Sequence, residues 1–357
     1  MTWRAAALLA LTLGAYAVIY DDSILRAGFV YEDAHWLDSQ EACCRTLTLA
    51  SMRAQAGSSP AAYHAVNLAL HLAAGALGWA WLRRVGLSAS AAGFGAAALL
   101  LHPLATESAA YIAARGELIA ALFTLAASAL AMASGPIAIG AGILALGAGL
   151  GKTSGLVALP LVALTFWLKR RPIAGTISIG LALAIGLVAF RGFVGQLLTD
   201  PVAAAEPGGL IPYGSFLSAA DPVAWLRFQA VAATRLLGML PLPLGQTVDF
   251  DVEAVPAAMQ LVALAQLAML GATAIVLWRV DRQAAFGLTW ILTALAPRLV
   301  VQTPGSFLNE HHVFLAMPGA ALIGAALWDR FSPERCHERR SAERPVRSCW
   351  RRAFAAE

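Results

Sequence analysis

Apolar runs of roughly helix length recur from residue 3 to residue 328, separated by turns and loops that carry charges, glycine or proline. Repeated runs of this kind bury their own backbone polar groups only as helices, and they are too apolar and too numerous for a water-facing surface. Composition agrees. The chain is 59% hydrophobic and 13% charged, where a soluble domain carries about 25% charged residues. The predicted fold is all-α, a polytopic transmembrane helical bundle of about 10–11 spans, with an outer-face loop bearing short interfacial helices. Residues 1–328 form one membrane domain, and 329–357 a flexible, basic cytoplasmic tail. There is no 34-residue helical repeat. The four cysteines do not make a disulfide framework, since Cys43 and Cys44 are adjacent and Cys336 and Cys349 lie in the tail.

The basic turns orient the bundle. The first run covers about 3–20 and ends in Tyr20. Ala15-Tyr16-Ala17 resembles a signal-peptidase site, so cleavage is the rival reading; in both readings the next loop lies outside. That loop, 21–60, holds six acids against three arginines and a possible interfacial helix over 35–53. Runs over 61–82 and 156–168 end in Arg83-Arg84 and Lys169-Arg170-Arg171, which the positive-inside rule assigns to the cytoplasm. Further runs are read at 87–101, 111–134, 137–150, 173–190, 258–278, 286–301 and 313–328. The segment 223–244 is ambiguous. As a full span it would leave V-D-F-D-V-E inside and Arg279 and Arg282 outside, so an in-plane or re-entrant helix on the outer face is preferred. The count is then about ten spans with both ends inside, and the eight tail arginines meet anionic lipid.

On this topology the polar residues at membrane depth collect on one side. Glu32, Asp33, Arg45, Glu107, Arg115, Glu117, Lys152, Arg191, Arg235, Asp249, Asp251, Arg298, Glu310, His311 and His312 all fall outside. A charge set into a span costs on the order of 2.5–3.5 kcal/mol on insertion scales, so each one needs a partner, water or a task. Arg115 and Glu117 are two apart and do not face one another on a helix, so each needs its own partner. His64 and His71 are seven apart and share a helix face, a spacing that more often marks packing than a metal site. Gly151-Lys152-Thr153 looks like the end of a P-loop, but the first glycine of that motif would fall on Leu146 and no strand precedes it. Lys152 is better read as a cation at the outer membrane edge. Edge cations suit a lipid phosphate, and carboxylates suit removal of a hydroxyl proton. The competing reading is a set of ion pairs that stabilises outer loops.

Six stretches carry a family resemblance. They are Y-E-D-A-H-W from Tyr31, R-T-L-T-L-A-S from Arg45, Y-H-A-V-N-L-A-L-H-L from Tyr63, H-P-L-A-T-E-S-A-A-Y-I-A-A-R-G-E-L from His102, L-P-L-P-L-G-Q-T-V-D-F-D from Leu240, and N-E-H-H-V-F-L from Asn309. In this order they resemble motifs of the C-superfamily integral-membrane glycosyltransferases. The closest types are the protein O-mannosyltransferases and the transmembrane tetratricopeptide-repeat O-mannosyltransferases, here with the membrane domain only. The resemblance implies transfer of a mannose-like sugar from a polyprenyl-phosphate carrier to a hydroxyl acceptor on a protein or glycan, with inversion. It implies a bacterial inner membrane with the active site on its outer face. The lipid bilayer, carrier and acceptor are the partners, with no nucleic acid.

By that resemblance Glu32 and Asp33 are the catalytic pair. Glu32 falls on the position of the family's catalytic Asp, with the order of the two acids reversed here. Arg115, Lys152 and Arg191 are expected to bind the donor phosphate. His35, Arg45, His102, Glu107, Glu117, Asp249, Glu310 and His311 are the further outer-face candidates. Lys152 matches the Lys of the family's S-K-E motif, but Thr153 replaces its Glu; His312 stands where the family has Arg, and Ala316 where it has Pro. No cofactor is expected beyond the lipid-linked sugar donor and no metal site is read; dependence on a divalent metal stays open. Asp249-Phe250-Asp251 has the look of a metal-binding D-x-D, whereas the O-mannosyltransferase type is not typically metal-dependent. The alternative function is a non-catalytic lipid-linked-sugar binding or transport protein on the same scaffold. A small-solute transporter would show inverted repeats and charges near mid-membrane, and neither is present.

The topology is tested by single-cysteine labelling from outside in a chain freed of its native cysteines. Gly208→Cys is expected to label and Arg170→Cys to stay protected. Labelling at Arg170→Cys but not at Gly208→Cys overturns the orientation.

Overall fold

The computed structural model describes residues 3–30, 33, 37, 45–189, 222–244, 255–300 and 310–331. Every regular element among them is helical. In chain order they are α1 (Trp3–Ile19), α2 (Asp22–Leu25), α3 (Thr46–Arg53), α4 (Pro60–Val85), α5 (Ala89–Leu101), α6 (Pro103–Ala110) and α7 (Arg115–Ala131). Then come α8 (Ala141–Gly151), α9 (Ala158–Leu168), α10 (Pro172–Ala189), α11 (Pro222–Met239), α12 (Ala257–Val280), α13 (Arg282–Val300) and α14 (Met317–Phe331). Short 3-10 turns at Ile112–Ala114, Pro136–Gly140, Thr153–Val157 and Glu310–Val313 lead into α7, α8, α9 and α14. Of the interfacial helix expected over 35–53, the described part is α3 with Arg45 before it and the helical residue Leu37; 35, 36 and 38–44 lie outside the described residues.

Among the described residues, three helices are long and apolar enough to cross a membrane: α4, the run Ile112–Ala131 that contains α7, and α12. The pair α5 and α6 makes a fourth if its 59° bend is taken as one broken span. Pro103 sets that bend. It cannot donate to the preceding turn, and it sits at the first position of α6, where its missing N–H is harmless. His102 caps the break, its Nδ1 accepting from the Leu104 N–H at 3.2 Å. The apolar helices over Ala6–Ile19, Pro136–Gly151, Thr153–Leu168 and Pro172–Val188 are shorter. Helix α11, in the segment that the sequence leaves ambiguous, packs along α12 and α13.

The helices divide sharply by environment. The most apolar window of the α7 run is 83% buried, while that of α12 is 11% buried. Helix α7 is therefore the core of the bundle and α12 is peripheral. The outward faces are as apolar as the inward ones: Leu261, Met269 and Ile275 on α12, and Ile173, Leu183 and Val188 on α10, are exposed. A water-soluble bundle presents polar residues there.

The main core joins α4, α5, α7, α13 and α14 around Trp81, Phe286, Trp290 and Phe314. The Trp81 and Trp290 rings lie 4.9 Å apart, and the Trp290 indole N–H donates to the Leu315 carbonyl at 3.0 Å. Close helix approach depends on small residues. A Cβ on Gly319 would lie 2.5 Å from the Gly287 carbonyl oxygen, and one on Gly287 would lie 2.7 Å from that of Gly319. At one end of the bundle, basic side chains close helix C-termini. Arg84 donates to the Ala129 carbonyl at 2.6 Å, Arg171 to that of Ala133 at 2.5 Å, and Lys169 to that of Arg84 at 3.0 Å. Asp281 pairs with Arg330 at the turn between α12 and α13.

The contact of α13 with α14 makes a prediction. Gly319→Ala forces the two backbones apart and is expected to cost about 1–3 kcal/mol. Gly271→Ala on α12, where nothing lies within 4 Å of the new methyl, is expected to be neutral or slightly stabilising. Thermal melting of the two purified variants in detergent measures the difference, and equal melting temperatures would contradict this packing.

Candidate functional site

The first turn of α7 organises the end of the bundle opposite the basic turns. Arg115 and Glu117 are both buried there, flanking Gly116. As the two-residue spacing requires, they turn to different partners. The Arg115 side chain has no exposed surface. It donates from Nε to Asn67 Oδ1 at 2.7 Å, from Nη2 to the Tyr63 carbonyl at 3.1 Å and from Nη1 to Ser51 Oγ at 3.4 Å. Its guanidinium also lies 5.4 Å from the centre of the Tyr63 ring. The Asn67 amide in turn donates to the Tyr111 carbonyl at 2.9 Å. One guanidinium thus binds α3, α4 and the start of α7 together.

Glu117 takes the other side. Its Oε1 accepts from Lys152 Nζ at 2.7 Å and lies 2.9 Å from His312 Nδ1. Lys152 Nζ lies 3.0 Å from the same His312 nitrogen. Glycines make this approach possible. A Cβ on Gly151 would lie 3.1 Å from the Ala120 nitrogen, and one on Gly116 would lie 3.0 Å from the Gly151 carbonyl oxygen. Thr48 donates its hydroxyl to that carbonyl at 2.7 Å, so α3 is stitched to the end of α8. Helix α8 stops at Gly151, and Lys152 takes an extended conformation with φ −154°. The P-loop reading fails in space as well, because Lys152 follows a helix here and no strand leads into it.

A second pair adjoins the first. Glu107 on α6 grips His311 twice, its Oε2 accepting from the backbone N–H at 2.8 Å and its Oε1 lying 2.7 Å from ring Nδ1. Burial pushes the His311 pKa down, against the raising effect of the Glu107 hydrogen bond. A neutral ring with its proton on Nδ1, donated to Glu107, fits both. The His311 and His312 rings lie with centroids 4.2 Å apart, their planes tilted by 41°. One ligand atom from each of Glu117, His311 and His312 falls within 4.8 Å of the others.

Asp33 is buried, and both of its oxygens accept backbone hydrogen bonds. Oδ2 takes the Val30 N–H and Oδ1 the Ala113 N–H, each at 2.9 Å. Desolvation raises its pKa, and those two N–H groups, His64 and Arg115 hold the rise in check. Asp33 therefore pins its loop to the turn that starts α7. His64 is buried beside it, and neither ring nitrogen has a hydrogen-bond partner among the described residues. His71 goes elsewhere, its Nδ1 3.3 Å from the Tyr16 hydroxyl and its Nε2 3.2 Å from the Leu99 carbonyl. The two histidines share a helix but no common ligand position.

The other sequence candidates divide as follows. His102 is a structural pin, its Nε2 3.0 Å from the Leu240 carbonyl. Arg45 stands at the N-cap of α3, and Glu310 begins the 3-10 turn that carries His311. Glu32, His35, Arg191, Asp249 and Asp251 lie outside the described residues. Of the three cations that the sequence offers for the donor phosphate, Arg115 has its donors on protein acceptors and its side chain is fully enclosed. Lys152 is the cation of the expected set that lies among acceptors at the cluster's edge. Sequence reasoning did not single out Asn67 and Tyr63 as partners of Arg115, although a lone Asn within an apolar helix was the available signal. No family model, no curated protein and no solved structure matches this chain.

Arg115 should be hard to replace. A hydrogen bond from a charged donor is worth about 1.5–3 kcal/mol, and the fork geometry is specific to arginine. Arg115→Met and Arg115→Lys are both expected to lower the melting temperature, by about 5 °C or more for the Met variant. Parental stability in both would contradict the central role given to this side chain.

Proposed function

We propose that this chain is a polytopic membrane glycosyltransferase of the C-superfamily type, with about ten spans and its site at the outer face of a bacterial inner membrane. It transfers a mannose-like sugar from a polyprenyl-phosphate carrier to a hydroxyl acceptor on a protein or glycan. One observation carries the reading. Residues from five of the six motif stretches, far apart in sequence, meet at one end of the bundle: Asp33; Thr48 and Ser51; Tyr63 and Asn67; Glu107, Arg115 and Glu117; and His311 and His312. Lys152 joins them. Loops that needed only stability would not require buried charges drawn from so many places.

The chemistry divides among these residues. The acceptor hydroxyl is a poor nucleophile until a carboxylate takes its proton. Glu32 does this, while Asp33, with both oxygens engaged by backbone N–H groups, holds the loop in register. The acceptor oxygen attacks the anomeric carbon from the face opposite the carrier. The bond from that carbon to the phosphate oxygen breaks with inversion, and polyprenyl phosphate leaves with added negative charge. A fixed cation must meet that charge; Lys152 supplies it, with Arg191 as the second candidate. Arg115 acts at one remove by holding α3 and α4 against α7.

The test is turnover by purified protein with a panel of polyprenyl-phosphate sugars. With a donor that the parent uses, Glu32→Gln is expected to lower turnover by ~10²–10⁴-fold while carrier binding persists. Asp33→Asn is expected to act mainly through loss of loop order. If the double variant keeps parental turnover, the catalytic reading is wrong. If the parent binds carrier but turns over no donor in the panel, the scaffold is a lipid-linked-sugar binding protein instead.

A further inference from the structure

The triangle of Glu117, Lys152 and His312 does not close as a set of hydrogen bonds. Its edges are 2.7, 2.9 and 3.0 Å. An ammonium only donates and a carboxylate only accepts. His312 Nδ1 can either carry a proton for Glu117 or present a lone pair to Lys152, but not both. In the first case the lysine points a positive charge at an N–H. In the second, two acceptor atoms 2.9 Å apart face one cation. The second case is the geometry of neighbouring ligands around a metal ion, because donors about 2.0–2.1 Å from a tetrahedral zinc lie about 3.3 Å from one another.

His311 supplies a third donor. The ligand atoms of Glu117, His311 and His312 lie within 4.8 Å of one another. Glu107 accepts from His311 Nδ1 and from its backbone N–H, which fixes the ring and leaves the lone pair on Nε2. A carboxylate behind a histidine is the usual second-layer support of a metal-binding imidazole. Two imidazoles and one carboxylate suit zinc or a similar borderline divalent ion, and three protein ligands leave a coordination position open.

We propose that Glu117, His311 and His312 form a binding site for a divalent transition-metal ion of the zinc class, and that the Lys152 ammonium occupies the cation position when the metal is absent. The metal and the lysine compete for the Glu117 and His312 lone pairs. Metal binding therefore frees Lys152 from the cluster, and the open coordination position accepts an anionic oxygen. This inference rests on the side-chain geometry alone and does not require the glycosyltransferase reading.

The experiment is a titration of purified, detergent-solubilised protein with zinc against a competing chelator, and with cobalt followed by its visible absorption. All four cysteines are first replaced, by Cys43→Ser, Cys44→Ser, Cys336→Ser and Cys349→Ser, to remove thiolate sites. One saturable equivalent is expected, with a cobalt spectrum of nitrogen and oxygen ligation. Lys152→Met removes the competitor and is expected to tighten binding by about tenfold or more; Glu117→Gln and His312→Ala are expected to abolish it. The absence of a saturable equivalent in the cysteine-free protein overturns the proposal. So does equal affinity in the Lys152→Met variant and its parent, a result that stands even if the ligand variants fail to fold. No turnover is measured, so failure here leaves the glycosyltransferase reading untouched.

Discussion

The structure depends on how two opposite charges are accommodated at the start of its most buried helix. Arg115 and Glu117 enter α7 within one turn, and the environment behind them is apolar. Neither can be left without compensation at such depth, since breaking one partner from a buried charge commonly costs about 3–5 kcal/mol. They cannot neutralise each other, because residues two apart point away from one another on a helix. The chain must therefore deliver a separate partner set to each. Asn67, Ser51 and the Tyr63 carbonyl come to the arginine, and Lys152 and His312 come to the glutamate. Helices α3 and α4, the end of α8 and the turn before α14 are positioned as a consequence.

The two ends of the bundle solve different problems with similar residues. At the basic end, arginines and lysines donate to carbonyls that helix C-termini leave unpaired, as Arg84 and Arg171 do for Ala129 and Ala133. These cations need no carboxylate, because the helix ends are themselves partly negative. At the other end, the cations meet side chains from distant segments. Lys152 meets the Glu117 carboxylate and the His312 ring, side chains rather than helix-end carbonyls. That difference separates an end built for closure from an end with the materials of a site.

This also explains what could be read in advance. Helices occupy the apolar runs because continuous hydrophobicity leaves the backbone no other way to satisfy itself in a nonpolar environment. The break at Pro103 and the divergent partners of Arg115 and Glu117 follow from local rules, so they were legible too. The identity of those partners was not. Asn67 reaches Arg115 across 48 residues, and nothing local distinguishes an asparagine that binds a guanidinium from one that binds another helix. The enclosure of Arg115 was hidden for the same reason. Sequence position put a cation near the edge, but only packing decides whether its donors face a ligand or the protein. The topology put Glu117 and the two histidines on one face, but their direct contact was not legible because they lie in two distant stretches.

The choice of aspartate at position 33 becomes intelligible from its contacts. Its carboxylate must reach the Val30 N–H behind it and the Ala113 N–H across the loop at once, both at 2.9 Å. A short side chain does this from a fixed backbone with few rotamers to restrain, and an added methylene would move the carboxylate and cost more side-chain entropy. Aspartate suits the docking position for the reason that it suits helix caps and tight turns, where its oxygens reach nearby backbone donors. In the proposed reaction this leaves the longer, more adaptable glutamate for the proton. On that proposal, the Glu-Asp order follows a division of labour, with the anchor at 33 and the base at 32. It also places the demand for rigidity on the residue that does not react.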